Sequence, residues 1–119
     1  MGRFSVQVEL ANNDDVADFR RGRLPSEQVR RLIIRAVVDT GATRLVIPAT
    51  VAEKLGLQIT GQAGVRYADG CTGQRAMAGG VALTWGGRSS VFNAIVEPDR
   101  DSALIGVIVL EDPMKTRRR

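Results

Sequence analysis

Histidine is absent from this 119-residue chain, and cysteine occurs once, at Cys71. The first absence removes Ser-His-Asp triads, Cys-His pairs, histidine general bases and most zinc sites. The second excludes an internal disulfide. It also leaves Cys71 with no base to activate it, so it reads as an ordinary loop thiol. Aromatic residues make up only 4% of the chain, so its core must be mostly aliphatic. No apolar run reaches the roughly 20 residues of a membrane span. The segment Met1-Gly2-Arg3-Phe4-Ser5-Val6-Gln7-Val8-Glu9 alternates polar and apolar, unlike the apolar stretch of a signal peptide. Val6 stands where a Ser or Thr would be needed for myristoylation of Gly2. A cytoplasmic protein with no membrane partner is the expectation.

The net charge of +4 suggests an affinity for nucleic acid, but its distribution argues against one. Lys115, Arg117, Arg118 and Arg119 supply four of the seventeen basic residues, and the remaining thirteen match thirteen acids. Residues 1–114 are therefore formally neutral and form the single domain. Residues 115–119 are a basic tail that reads as a solvated end.

What is present reads mostly as strands. Phe4, Val6, Val8 and Leu10 alternate over residues 3–10. A polar stretch, 11–29, reads as a long loop with a helical turn near Val16–Arg20. Residues 30–38 end in a continuous apolar run, which predicts burial on both faces of that strand. A turn at 39–43 leads to a short strand, Leu45-Val46-Ile47. Pro48 suits a first helical turn, Val51 and Leu55 continue a short helix, and Gly56 suits its C-terminus. Residues 63–97 read as antiparallel ribbons with turns at Asp69-Gly70 and Gly86-Gly87, and 103–110 as a buried run. Trp85 reads as core or as a half-buried ribbon residue. Asp14-Asp15 and the pair Asp99, Asp101 read as solvated loop acids without a calcium-loop pattern.

Carboxylates, Lys, Tyr and hydroxyls are what remain to do chemistry, and Val37-Val38-Asp39-Thr40-Gly41-Ala42-Thr43 is where a carboxylate meets a tight turn. By itself Asp39 can be a turn-capping residue with ordinary turn chemistry. As a reactive group it needs a partner. A second carboxylate about 3 Å away prevents both from ionising together, so the two share one proton. One can then act as general base on a water while the other protonates a carbonyl oxygen. The chain has no second copy of this turn, so the partner must come from another chain. Gly41 permits a sharp turn and close approach.

Val38-Asp39-Thr40-Gly41-Ala42-Thr43 resembles the active-site loop of retropepsin-like aspartic peptidases. Leu104-Ile105-Gly106, beginning 65 positions after Asp39, resembles the apolar pair and glycine that form the family's second landmark. Val65-Arg66-Tyr67-Ala68-Asp69-Gly70 resembles the flap of the single-domain bacterial relatives. The resemblance covers residues 30–112. It implies a mostly β, closed-barrel acid-protease domain with one or two short helices, active as a C2 homodimer. It implies peptide-bond hydrolysis by an activated water, with no metal or cofactor. By the same resemblance Asp39 is catalytic in each subunit, and Thr40 belongs to a hydroxyl lattice across the dimer. Gly41, Ala42, Tyr67, Ala68, Asp69 and Gly70 line the substrate cleft. Leu104, Ile105 and Gly106 support the site.

The chain departs from viral relatives in its longer 11–29 segment and in Asp69-Gly70-Cys71-Thr72-Gly73, where viral flaps are rich in glycine and isoleucine. Its end, Glu111-Asp112-Pro113-Met114-Lys115, lacks the apolar terminal strand that knits viral dimers. That last departure favours an alternative, a non-catalytic dimeric module that binds peptides in the same fold. A nucleic-acid-binding protein acting through the tail is the third reading, and the neutral body argues against it.

Overall fold

The computed structural model describes residues 3–39, 44–66 and 69–106. In chain order the elements are β1 (Arg3–Asn12), α1 (Asn13–Arg20), a 3-10 turn (Ser26–Gln28), β2 (Arg31–Asp39), β3 (Leu45–Pro48), α2 (Ala49–Leu55), β4 (Gln58–Arg66), β5 (Thr72–Trp85), β6 (Arg88–Glu97) and β7 (Ala103–Gly106). The strands form one sheet in the order β1-β2-β7-β3-β6-β5-β4, and β1 also pairs with β5. Six strands thus close into a barrel, and β4 continues beyond it as a ribbon on β5.

Closure follows from strand length. Glu9 to Ala11 of β1 pair with Ile33 to Arg31 of β2. On the other edge, Glu9 to Asn12 pair with Thr84 to Val81 of β5. β7 lies between β2 and β3, parallel to the former and antiparallel to the latter. The chain therefore leaves β2, builds most of the barrel, and returns to fill the slot beside it.

The core holds Val8, Leu10, Ala36, Leu45, Ile47, Val51, Ala52, Leu55, Ala78, Val81, Leu83, Ala94, Val96, Ala103 and Ile105, with Trp85 and Phe92 packed at its margin. It is aliphatic, as the scarcity of aromatics requires. The alternation in β1 holds at its C-terminal half, where Val8 and Leu10 are buried. Phe4, at the start of the strand, is exposed. β2 departs from expectation: Ala36 and Val38 are buried, but Val37 is half-buried and Ile33 is 69% exposed. Only one face of β2 meets the core, because the strand forms part of a barrel wall and is not the centre of a layered sheet.

Both glycine turns occur. Gly86 and Gly87 have φ of +61° and +80°, which suits a two-residue hairpin joining β5 to β6. Gly56 is left-handed at φ +64° and ends α2, with its N–H reaching back to Ala52 and Glu53 carbonyls. Pro48 is the N-cap of α2, one position before the predicted first turn. The predicted turn at 39–43 lies mostly outside the described residues. So do the second half of the 103–110 run and the basic tail.

The polar 11–29 segment is more ordered than its composition suggests, and Asp15 is not a solvated loop acid. Asn12 and Asp15 are only 5% and 8% exposed. The Asn12 side-chain oxygen accepts from the Asp15 N–H at 3.1 Å, capping α1. Its Nδ2 donates to the Leu55 carbonyl at 2.8 Å, at the far end of α2. The Asp15 carboxylate takes the Arg30 guanidinium in two bonds of 2.8 and 3.0 Å, and the Arg30 backbone N–H in a third of 3.0 Å. The guanidinium also lies against Gly56, in the space a Cβ would need. Only the Asn12–Asp15 cap is local in sequence; Arg30 and Leu55 reach the cluster from distant segments, which sequence spacing does not show. Asp99 and Asp101 are exposed, as expected.

Asn12→Ala removes a cap and a buried carbonyl partner, and should cost about 1–2 kcal/mol in urea unfolding. The Arg30 hydrogen bonds hold the Asp15 carboxyl below its ordinary value, against the opposing effect of burial. A lowered carboxyl pKa stabilises the fold above the unfolded value of about 3.9, and that contribution is lost as pH falls through the folded value. The unfolding free energy should therefore drop below about pH 4 more steeply for the native chain than for Asp15→Asn.

Candidate active site

Strand alternation divides the barrel wall into an inner and an outer face. Across the β2–β7 pair, Ala36 faces Ala103 and Val38 faces Ile105, and all four are core residues. The intervening pairs, Val37 with Leu104 and Asp39 with Gly106, therefore belong to the outer face. β3 and β6 extend the pattern. Leu45 with Ala94 and Ile47 with Val96 point inward, while Val46 pairs with Ile95 between them. Val46 also pairs with Leu104. The result is an apolar row on the outer face, Val37-Leu104-Val46-Ile95, crossing four strands.

Asp39 sits one step beyond this row. It ends β2, is half-buried, and lies beside Gly106 of β7 on one edge and Arg3 of β1 on the other. Two residues along a strand is about 6.6 Å, so the carboxylate-bearing position and the apolar row are close neighbours on one surface. Gly106 gives Asp39 a partner with no side chain, which keeps that surface open.

A hairpin from the β4–β5 ribbon reaches over the same surface. Val65 pairs with Gly73 and Arg66 with Thr72. At its tip the Asp69 carboxylate accepts the Cys71 N–H at 2.9 Å, and Gly70 takes φ +88°. The acid closes the turn by the usual Asx geometry. A cavity of about 360 Å³ lies beside the tip end of the hairpin, lined by Val46, Val65, Arg66, Ile95, Glu97, Arg100 and Leu104. Glu97 is bound by Arg75 at 2.9 Å, with both side chains largely covered. Arg100 is steadied by its own loop, donating to the Ser102 carbonyl at 2.9 Å.

Of the residues singled out from sequence, Asp39, Leu104 and Gly106 come together on this face. Ile105 points into the core. Asp69 and Gly70 form the hairpin tip. Thr40, Gly41, Ala42, Tyr67 and Ala68 lie outside the described residues. Arg66 was named only as part of the flap resemblance, and Val46, Ile95, Glu97 and Arg100 were not singled out as site residues from sequence. Period-two counting from Asp39 and Gly106 gives Val37 and Leu104. The remainder depends on which strands become neighbours. Among the described residues no group of His, Cys, Asp or Glu is placed to hold a metal.

Residues 28–112 match the family model described as "gag-polyprotein putative aspartyl protease". No curated protein matches the chain. Among solved structures, the chain is similar to the simian foamy virus (mac) protease in solution, at TM-score 0.58 and 15% identity, over 98% of this chain and 99% of that one. It is also similar to the EIAV protease complexed with the inhibitor HBY-793, at TM-score 0.65 and 17% identity, over 95% of this chain and 89% of that one. The mostly β closed barrel with two short helices is therefore the retroviral protease fold.

Cys71 is exposed at the hairpin tip. Native protein should react with a disulfide reagent at one thiol per chain, at a rate close to that of the urea-unfolded chain. A burst of reaction seen only on unfolding would contradict this placement.

Proposed function

The chain belongs to the gag-polyprotein aspartyl protease family, and from that premise we propose that it is an aspartic endopeptidase active as a C2 homodimer. The observation that carries this reading is the position of Asp39. It ends a barrel strand on the outer face, beside an apolar row whose far part is flanked by Val65 and Arg66 of the hairpin, and a single chain supplies only one such carboxylate. An isologous contact places two copies of one residue at a two-fold axis, so dimerisation completes the pair. The inhibitor complex of the EIAV protease supports a ligand-binding cleft in this fold.

In the proposed reaction the two Asp39 carboxyls share one proton. The ionised member takes a proton from a water, and the water oxygen attacks the scissile carbonyl. The protonated member delivers its proton to the carbonyl oxygen. As the tetrahedral diol collapses, the Asp39 that took the water's proton gives it to the amine nitrogen and the C–N bond breaks. The other Asp39 takes back a hydroxyl proton of the diol, leaving a carboxylic acid, a free amine and the one-proton pair. Thr40 would brace the two loops across the axis. Gly41, Ala42 and the hairpin residues Tyr67, Ala68, Asp69 and Gly70 would hold an extended peptide by strand-like hydrogen bonds. The apolar row would receive its side chains.

Asp39→Asn should abolish cleavage of a peptide library read by mass spectrometry. Specific activity of the native protein should fall on dilution through the dimer dissociation range and be highest at mildly acidic pH. Equal cleavage by both proteins would indicate a contaminant. No cleavage by protein shown to be dimeric would sink the peptidase reading in favour of a peptide-binding module.

A further inference from the structure

The cavity beside the hairpin carries a charge that its apolar walls do not account for. Val46, Val65, Ile95 and Leu104 supply the walls, while Arg66, Arg100 and Glu97 complete the lining. Glu97 is already bound to Arg75. The lining therefore holds two guanidinium groups and one carboxylate, and that carboxylate is engaged by Arg75. Counting Arg75 and the neighbouring Asp39 as well still leaves positive charge in excess. Arg66 is exposed on the hairpin strand. Arg100 is held by two bonds to Ser102, at 2.9 Å to the carbonyl and 3.4 Å to the hydroxyl. A guanidinium has five N–H donors, so Arg100 retains donors after both bonds. Ser102, which anchors it, is buried.

We propose that this cavity is an acid-selective subsite, and that Arg66 and Arg100 are specificity-determining residues which favour a glutamate side chain in the bound peptide. The inference rests on reading the surface around Asp39 as a peptide cleft. Glutamate fits both features of the cavity: its methylenes lie along Val46, Ile95 and Leu104, and its carboxylate meets the guanidinium rim. Arg pairs with a carboxylate in forked geometry, and such charge-assisted bonds are about twice as strong as neutral ones. Lysine or arginine in the same place would meet like charge. An uncharged leucine would leave the rim unused.

The distance to Asp39 sets which peptide position is read. Leu104, on the cavity wall, is two residues before Gly106, the strand partner of Asp39. That is about 6.6 Å, or two residues of extended chain. The selected glutamate therefore lies within about two residues of the cleaved bond.

The test uses the full chain and a short randomised peptide library, with the cleaved set sequenced by mass spectrometry. Glutamate should be enriched at one position within two residues of the cut, with kcat/KM about tenfold above the glutamine peptide. Raising salt should reduce that ratio. Arg66→Glu, at an exposed position, and Arg100→Glu should each erase the preference or turn it towards lysine. In parallel, immobilised Asp39→Asn protein is used to capture the same library. Cleavage without acidic enrichment, or enrichment unchanged in both charge-reversed variants, overturns the proposal. If the native chain cuts nothing while Asp39→Asn retains acidic peptides in an Arg66-dependent way, the subsite stands and the peptidase reading falls. If nothing is cut and no acidic peptide is retained, the subsite is wrong.

Discussion

The double pairing at the end of β1 is the constraint on which the architecture depends. Glu9 to Ala11 bond to β2 on one side and to β5 on the other, and this closes the sheet. Closure pairs the edge that β1 would otherwise expose, leaves only β4 of the ribbon as an outer edge, and defines an inside. Once there is an inside, strand alternation assigns every second residue to the wall's outer surface. Asp39 is an outer residue because Val38 is an inner one. The location of the candidate chemistry is thus a consequence of barrel closure before any property of the carboxylate itself is considered.

Closure also needs the end of β1 held in place, and polar bonds do this. Immediately after the paired residues, Asn12 binds the end of α2 and caps α1, while Asp15 engages Arg30 just before β2 begins. Among the described residues no buried side-chain polar atom lacks a partner, so these groups are not left unpaired in the interior. Helix α1 contributes little apolar surface: Asp15 is its one buried residue and Phe19 is exposed. The helix serves as a bracket between β1 and β2, and its sequence is polar for that reason.

Much of this was legible in the chain. Alternation in β1, the two-glycine turn at Gly86-Gly87 and the glycine end of α2 are local signals, and each appears where the residues indicated. The Asp39 turn and Leu104-Ile105-Gly106 pointed to the fold because both segments carry their own pattern. The failures share a different cause. The burial of one face only in β2, the Asp15–Arg30 pair and the charged cavity depend on which distant segments become neighbours. A run such as Leu32-Ile33-Ile34 has the same composition in a barrel wall as in a layered sheet, and only the topology decides that Ile33 faces outward. Polar residues are read as loop by default, so a segment ordered by buried polar bonds is easily taken for an unstructured one.

The β4–β5 ribbon has a mechanical property set at its base. Its pairing shifts between Ile59 and Gly61, and the pairing of β5 with β6 shifts between Ala78 and Val81. Ile59 and Ala78 are themselves partners, so both irregularities fall at one level of the ribbon. Thr60 packs there against the bare backbone of Gly79, and Gly80 takes φ +69°. Beyond that level the ladder runs without a break from Gly61–Met77 to Arg66–Thr72. Irregular pairing is more compliant than a continuous ladder, so the base is the soft part of the ribbon and the arm beyond it the stiff part. The inclination of the whole ribbon to the barrel is thus set at Thr60 and Gly79, at the opposite end of the ladder from the turn at Asp69.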